Sequence, residues 1–211
     1  MEFQLTLEDV DFLVRLARKA VETYLEDGNV TPAPKDTSSK FMDRYGVFVT
    51  LNSSRGDKKE LRGCIGFPYP TLPLLRAVID SAINSATQDP RFPRVSHDEL
   101  SSIVFEVSVL TPPQLIKVEK PVEYPSKIEV GKDGLIVEKG HHKGLLLPQV
   151  PIEWNWNEEE FLCQCCIKTG LSPDCWLIDG TKIYTFQAII FEEVTPNGEI
   201  KLKKLEKQQV S

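Results

Sequence analysis

Apolar residues near the start of the chain recur at a helical period. Val10, Leu13, Val14, Ala17, Ala20, Val21 and Tyr24 fall on one face at about 3.6 residues per turn, which predicts an amphipathic helix. Thr6 can cap it, Glu8 and Asp9 meet the positive end of its dipole, and Gly28 supplies the stop. Residues 29–40, rich in Thr, Pro and Ser, read as a loop. The pattern then shortens to a strand at 45–51, a polar turn at 52–59 containing Gly56, and a returning strand at 61–65. One glycine and two prolines break it at 66–70, and Leu75, Val78, Ile79, Ala82 and Ala86 mark a second helix over about 72–87. Asp89-Pro90-Arg91-Phe92-Pro93 is a rigid turn, and Ser96 with Glu99 matches a capping box. Residues 103–110 alternate faces that are both mostly apolar, which predicts a central strand with Glu106 partly buried.

From 112 to 151 the texture changes to short β-like pieces at 128–130, 135–139 and 145–147, the first two joined by Lys132-Asp133-Gly134. This stretch predicts a smaller β-rich subdomain. Asn157 caps a third helix over 158–169, which Gly170 ends. A long strand over 183–194 follows, and Asn197-Gly198 can fold it into a short hairpin. Hairpins, not regular βαβ units, dominate the connections. The fold class expected is α+β, a larger subdomain of mostly antiparallel sheet flanked by helices plus a smaller β-containing one, within one domain spanning 1–211.

Composition narrows the function classes. The 211 residues are 41% hydrophobic and 27% charged, which excludes disorder, collagen and coiled coil. No apolar run approaches the roughly 20 residues of a membrane helix, and the first residues lack the basic-then-apolar pattern of a signal peptide. A cytoplasmic protein without a membrane partner is expected. The net charge of −6 lacks the positive field of a nucleic-acid binder, and Lys201, Lys203, Lys204 and Lys207 read as a solvated tail. Five cysteines, an odd number, argue against a disulfide framework in that compartment. Phosphate-loop, dinucleotide-binding and serine-elbow signatures are absent.

Four constellations carry candidate chemistry. In Leu61-Arg62-Gly63-Cys64-Ile65-Gly66, Gly63 and Gly66 open the backbone around a thiol. Arg62, two residues from Cys64 on an extended strand, would share its face and favour the thiolate. The alternative is a small buried cysteine among packing glycines. Gly140-His141-His142-Lys143-Gly144 sets two of three histidines between glycines, a place for proton transfer or an exposed polar turn. Glu106 is an acid on an apolar strand, with Arg62 and Arg91 as plausible partners, in either a structural ion pair or a functional role. Cys163 and Cys166 have a C-x-x-C spacing with Cys175 beyond; a zinc site would need a second ligand pair, so core filling by Cys165 or Cys166 is the default.

The Leu61–Gly66 hexapeptide, Asp89-Pro90-Arg91-Phe92, and Gly144-Leu145-Leu146-Leu147-Pro148-Gln149-Val150 leading to Trp156, Phe161, Cys166, Gly170-Leu171 and Trp176 together resemble the AMMECR domain family, in the stand-alone form of microbial members. The resemblance implies a two-part α+β fold with Arg62, Cys64, Glu106, His142 and Gln149 near one another at a cleft. Gly63, Gly66, Arg91 and Gln149 would bind substrate there. It implies no cofactor and no established activity. It does imply a pathway shared with a Memo-like protein and a radical S-adenosylmethionine enzyme. The residues support an enzyme, or enzyme component, acting on a small polar or anionic molecule. Cys64 would be the nucleophile or redox thiol, Arg62 would hold charge, and His142 or Glu106 would move protons. The alternative is a non-catalytic binding or scaffold module.

Overall fold

A computed structural model describes residues 5–34, 37–55 and 58–203. In chain order the elements are α1 (Leu7–Asp27), β1 (Gly46–Arg55), β2 (Lys58–Phe67), α2 (Leu74–Thr87), β3 (Ile103–Leu110), β4 (Gln114–Leu115), β5 (Asp133–Lys139), β6 (His142–Leu146), α3 (Val150–Glu153), α4 (Glu158–Lys168), β7 (Lys182–Glu193) and β8 (Ile200–Leu202). The protein is α+β with antiparallel pairing, as the alternation of spacings predicts. It divides into two compact units. Residues 1–110 and 189–203 form the first, and residues from 111 to 188 belong to the second, which therefore continues well past residue 151. Among the described residues no helix is long and apolar enough to cross a membrane. Residues 1–4, Gly56, Lys204 and Lys207, named in the sequence reading, lie outside the described residues.

In the first unit, β1 pairs with β2 on one side and β3 on the other. Val47, Val49 and Leu51 of β1, with Ile103, Phe105, Val107 and Val109 of β3, turn one face toward α1 and α2 and make the main core. The α1 stripe reads as its spacing predicts: Leu13, Val14, Ala17, Ala20 and Val21 are fully buried. Thr6 and Asp9 form the capping box, and Gly28 ends the helix at φ +77°. All eight residues of β3 are buried, as a central strand requires. The polar turn expected over 52–59 is much tighter, because the β1–β2 hairpin extends through Asn52–Arg55 and Lys58–Glu60.

The second unit has its own core, in which Leu135, Val137, Phe161, Leu162, Cys165, Cys166 and Ile183 pack together. Here the sequence reading needs correcting. Residues 128–130 form no strand; they follow a 3-10 turn at Pro121–Lys127. The Lys132-Asp133-Gly134 turn therefore joins no hairpin. The hairpin is β5–β6, turned at Gly140, whose φ is +60°. Asn157 and Glu160 cap α4 reciprocally, as expected of its first turn. Cys166 and Cys175 form a disulfide with Cα atoms 5.9 Å apart. This bridge corrects the reading of the odd cysteine count as an argument against disulfides, leaves Cys64, Cys163 and Cys165 as free thiols, and takes Cys166 out of metal ligation. Cys165 beside it is fully buried, and burial pushes its thiol up to about 12.

Candidate functional site

The glycine-flanked hexapeptide lies on β2, and three contacts fix it. A Cβ on Gly63 would stand 2.2 Å from the Ser85 carbonyl oxygen, so only glycine lets the α2 backbone approach this closely. From the same helix the Ser85 hydroxyl accepts from the Ile65 N–H at 2.8 Å and donates to the Val49 carbonyl at 2.7 Å, joining β2 to β1. On the open edge of β2 the Cys64 N–H donates to Asp89 Oδ2 at 2.8 Å, and Arg91 reaches the Cys64 carbonyl at 3.4 Å. Asp89 and Arg91 are themselves paired in a bidentate fork at 3.0 and 2.7 Å. The Asp-Pro-Arg-Phe turn thus acts as a substitute strand, satisfying both polar groups of the Cys64 peptide.

Strand register sets what stands beside the thiol. Thr50 of β1 is opposite both Cys64 of β2 and Glu106 of β3, so the three form one row across the sheet. The Thr50 hydroxyl donates to Cys64 Sγ at 3.3 Å. Cys64 is half-buried. Burial pushes its thiol up; the Thr50 hydrogen bond and Arg91 oppose this, while Glu106 and Asp89 add to it. Glu106 is 5% exposed and pairs with Lys203 Nζ at 2.6 Å.

Two sequence expectations change here. The register slips by one residue between Leu51 and Asn52, and Arg62 is the extra residue of this bulge. Its guanidinium binds Glu99 at 3.0 and 3.2 Å and the Pro93 carbonyl at 2.8 Å. Arg62 therefore anchors the segment after the Asp-Pro-Arg-Phe turn and holds Glu99 below its ordinary value. The cation acting on the thiol is Arg91. The partner of Glu106 is neither arginine but Lys203, which is no solvated tail residue.

The structure brings Cys64, Glu106, Arg91, Gly63 and Gly66 into the first unit, with Thr50, Asp89, Ser85 and Lys203 added to them. His142 and Gln149 belong to the second unit. His142 opens β6, and its Nδ1 lies 3.1 Å from the Thr169 carbonyl oxygen. Gln149 precedes α3, and its Oε1 is buried without a hydrogen-bond partner among the described residues, an uncommon state for an amide oxygen. Thr50 was hidden from sequence reading because regular hairpin pairing would set it opposite Gly63; the bulge moves it to Cys64. Asp89 had a visible signal, its place two residues before Arg91 in a proline turn.

Helices packed on one side of an antiparallel sheet, with a glycine-flanked thiol on the other, define an α+β class of protein. Residues 14–191 match the AMMECR1 family model, and the chain belongs to that family. Protein PH0010 of Pyrococcus horikoshii is 56% identical over 206 residues, covering 97% of this chain and 100% of the relative. Protein MJ0810 of Methanocaldococcus jannaschii is 52% identical over 201 residues, 95% of this chain and 98% of its own. The crystal structure of PH0010, titled as an uncharacterized protein, matches with a TM-score of 0.87 over 96% of this chain and 100% of that one.

Proposed function

We propose that this protein is an enzyme, or an enzyme component, acting on a small polar molecule at Cys64. The observation that carries this is the row Cys64–Thr50–Glu106, with the thiol half-buried and its peptide clamped by Asp89 and Arg91. Sγ would add to a carbonyl-type carbon, forming a sulfur–carbon bond as the carbon–oxygen π pair moves onto the oxygen. The departing thiol proton has the Thr50 hydroxyl beside it and the Glu106 carboxylate beyond. Arg91, more than half exposed, would meet negative charge on the substrate. Gly63, filled by the Ser85 carbonyl, and Gly66, pressed against the Val47 carbonyl and the Phe48 ring, serve close packing and do not admit a substrate, while Arg62 positions the loop. This chemistry uses first-unit residues alone; His142 and Gln149 stand as candidate proton carrier and polar contact of the second. Cytoplasmic residence, expected from the sequence pattern, belongs to the same proposal, as does a pathway shared with a Memo-like protein and a radical S-adenosylmethionine enzyme, which rests on the family resemblance. Co-purification of tagged protein from its source cells tests those partners.

A second reading has a specific observation in its favour: burial pushes the thiol up, against formation of the reactive thiolate. A binding module would need no more than that. A Cys64→Ser protein separates the two. An enzyme loses pathway activity in cells by at least about 100-fold, the scale of a lost nucleophile or general base. A binding module keeps most of it.

A further inference from the structure

The second unit carries a groove along the outer face of α4 that the Cys64 chemistry does not use. Its volume is about 210 Å³, and its walls include Trp156, Glu159, Glu160, Cys163 and Gln164. Positions 159/160, 163/164 and 167 recur at helical spacing, so the same face continues to Ile167, which is 49% exposed. At its head Trp154 stacks on Trp156, with ring centroids 6.0 Å apart and planes 16° from parallel. Trp154 remains 67% exposed. The helix dipole accounts for carboxylates in the first turn of α4, and capping accounts for Glu160. Neither accounts for an indole held in water on top of a second one. Glu159 makes no ion pair among the described residues, and no Lys or Arg lines the groove.

We infer that this groove docks a basic segment of a partner protein, one arginine or lysine side chain lying against the Trp154–Trp156 pair with its charge at Glu159 and Glu160. Charge complementarity selects the occupant: indole faces attract cations, and the only ionised walls are anionic. Size selects a side chain over a whole metabolite, because small-molecule pockets usually run to about 300–1,000 Å³. Ile167, about two turns further along α4, offers an apolar seat to a residue further along the segment.

Fluorescence anisotropy of a labelled peptide alternating arginine and leucine, titrated with the full-length protein at low salt, tests this. Its glutamate counterpart serves as the control. Saturable binding of the arginine peptide alone is expected. Trp154→Ala, and separately the pair Glu159→Gln and Glu160→Gln, should each weaken it at least about 5-fold. Gln at 160 preserves the capping box, and Trp154 lies outside the core, so matching thermal melts show that the variants are folded. Equal affinity for the glutamate peptide, or unchanged affinity in Trp154→Ala, overturns the inference. Free arginine amide binding as tightly as the peptide also overturns it, because the site would then read a small molecule.

Discussion

At the scale of single residues, the environment of Cys64 makes predictions of opposite sign. Arg91 favours the thiolate and Glu106 opposes it. Arg91→Ala should therefore push the thiol further up, and Glu106→Gln should bring it down. Alkylation of Cys64 by iodoacetamide across pH, read by peptide mass spectrometry, measures both; shifts in one common direction would falsify the electrostatic account. Asp89 gives a second prediction. The Arg91 hydrogen bonds hold its carboxyl well below the usual range, against the desolvating effect of burial. A depressed carboxyl contributes stability that is fully present above the unfolded value of 3.8 and is lost as pH falls through the folded value. Asp89→Asn should cost about 1.5–3 kcal/mol at neutral pH and flatten the acid limb of the stability curve. Urea melts from pH 6 downward check this. The thiol and its glycines were legible in the sequence because they are contiguous. Thr50 and Lys203 were not, because their proximity depends on strand register and on a chain return about 140 residues downstream of Cys64.

At the scale of elements, legibility followed the length of the periodic signal. The 21-residue α1 and 14-residue α2 declare themselves over several turns, with caps at the N-terminus of the first. The β-like piece at 128–130 is too short for period 2 to separate a strand from an extended loop, and pairing partners, not propensity, decide it. The bulge in β2 left no sequence mark, yet it is what turns Arg62 to Glu99 and Cys64 to Thr50. The seat of α2 on β2 is correspondingly intolerant. In Gly63→Ala the new methyl meets a backbone carbonyl oxygen that cannot rotate away, so the helix must lift. That overpacking should cost about 1–3 kcal/mol or more, whereas Gly140→Ala, with nothing within 4 Å, pays only the left-handed backbone penalty of about 1–2 kcal/mol. The sharper contrast is in reactivity. Gly63→Ala should change the Cys64 alkylation rate and Gly140→Ala should leave it unchanged, which peptide mapping after timed labelling distinguishes.

At the scale of the whole molecule, the first unit is closed by a charge pair that hydropathy patterning conceals. Arg18 lies beside the apolar stripe of α1 and is only 4% exposed; Glu193, at the end of the returning strand β7, is fully buried. Arg18 Nε donates to Glu193 Oε1 at 2.7 Å, and the guanidinium also donates to the carbonyls of Leu100 and Ile103 at 3.3 and 2.6 Å. Glu193 Oε2 accepts from the Phe105 N–H at 3.0 Å, and the guanidinium carbon lies 4.5 Å from the centroid of the Phe105 ring. One ion pair thus ties a helix near the start of the chain to the central strand and to the segment that returns after the second unit. Glu193→Leu leaves the buried Arg18 charge unpaired and should destabilise by about 3–5 kcal/mol; Arg18→Met should cost less, because Arg15 Nη1 still lies 3.7 Å from Glu193 Oε1. Replacing both removes the orphaned charge together with the desolvation cost, although the Phe105 N–H still loses its acceptor. The double variant should therefore be more stable than either single one, with a coupling energy of about 2 kcal/mol or more. Chemical denaturation of the four proteins closes the cycle. Additive losses would show that Arg18 and Glu193 act through their separate backbone contacts and not through each other.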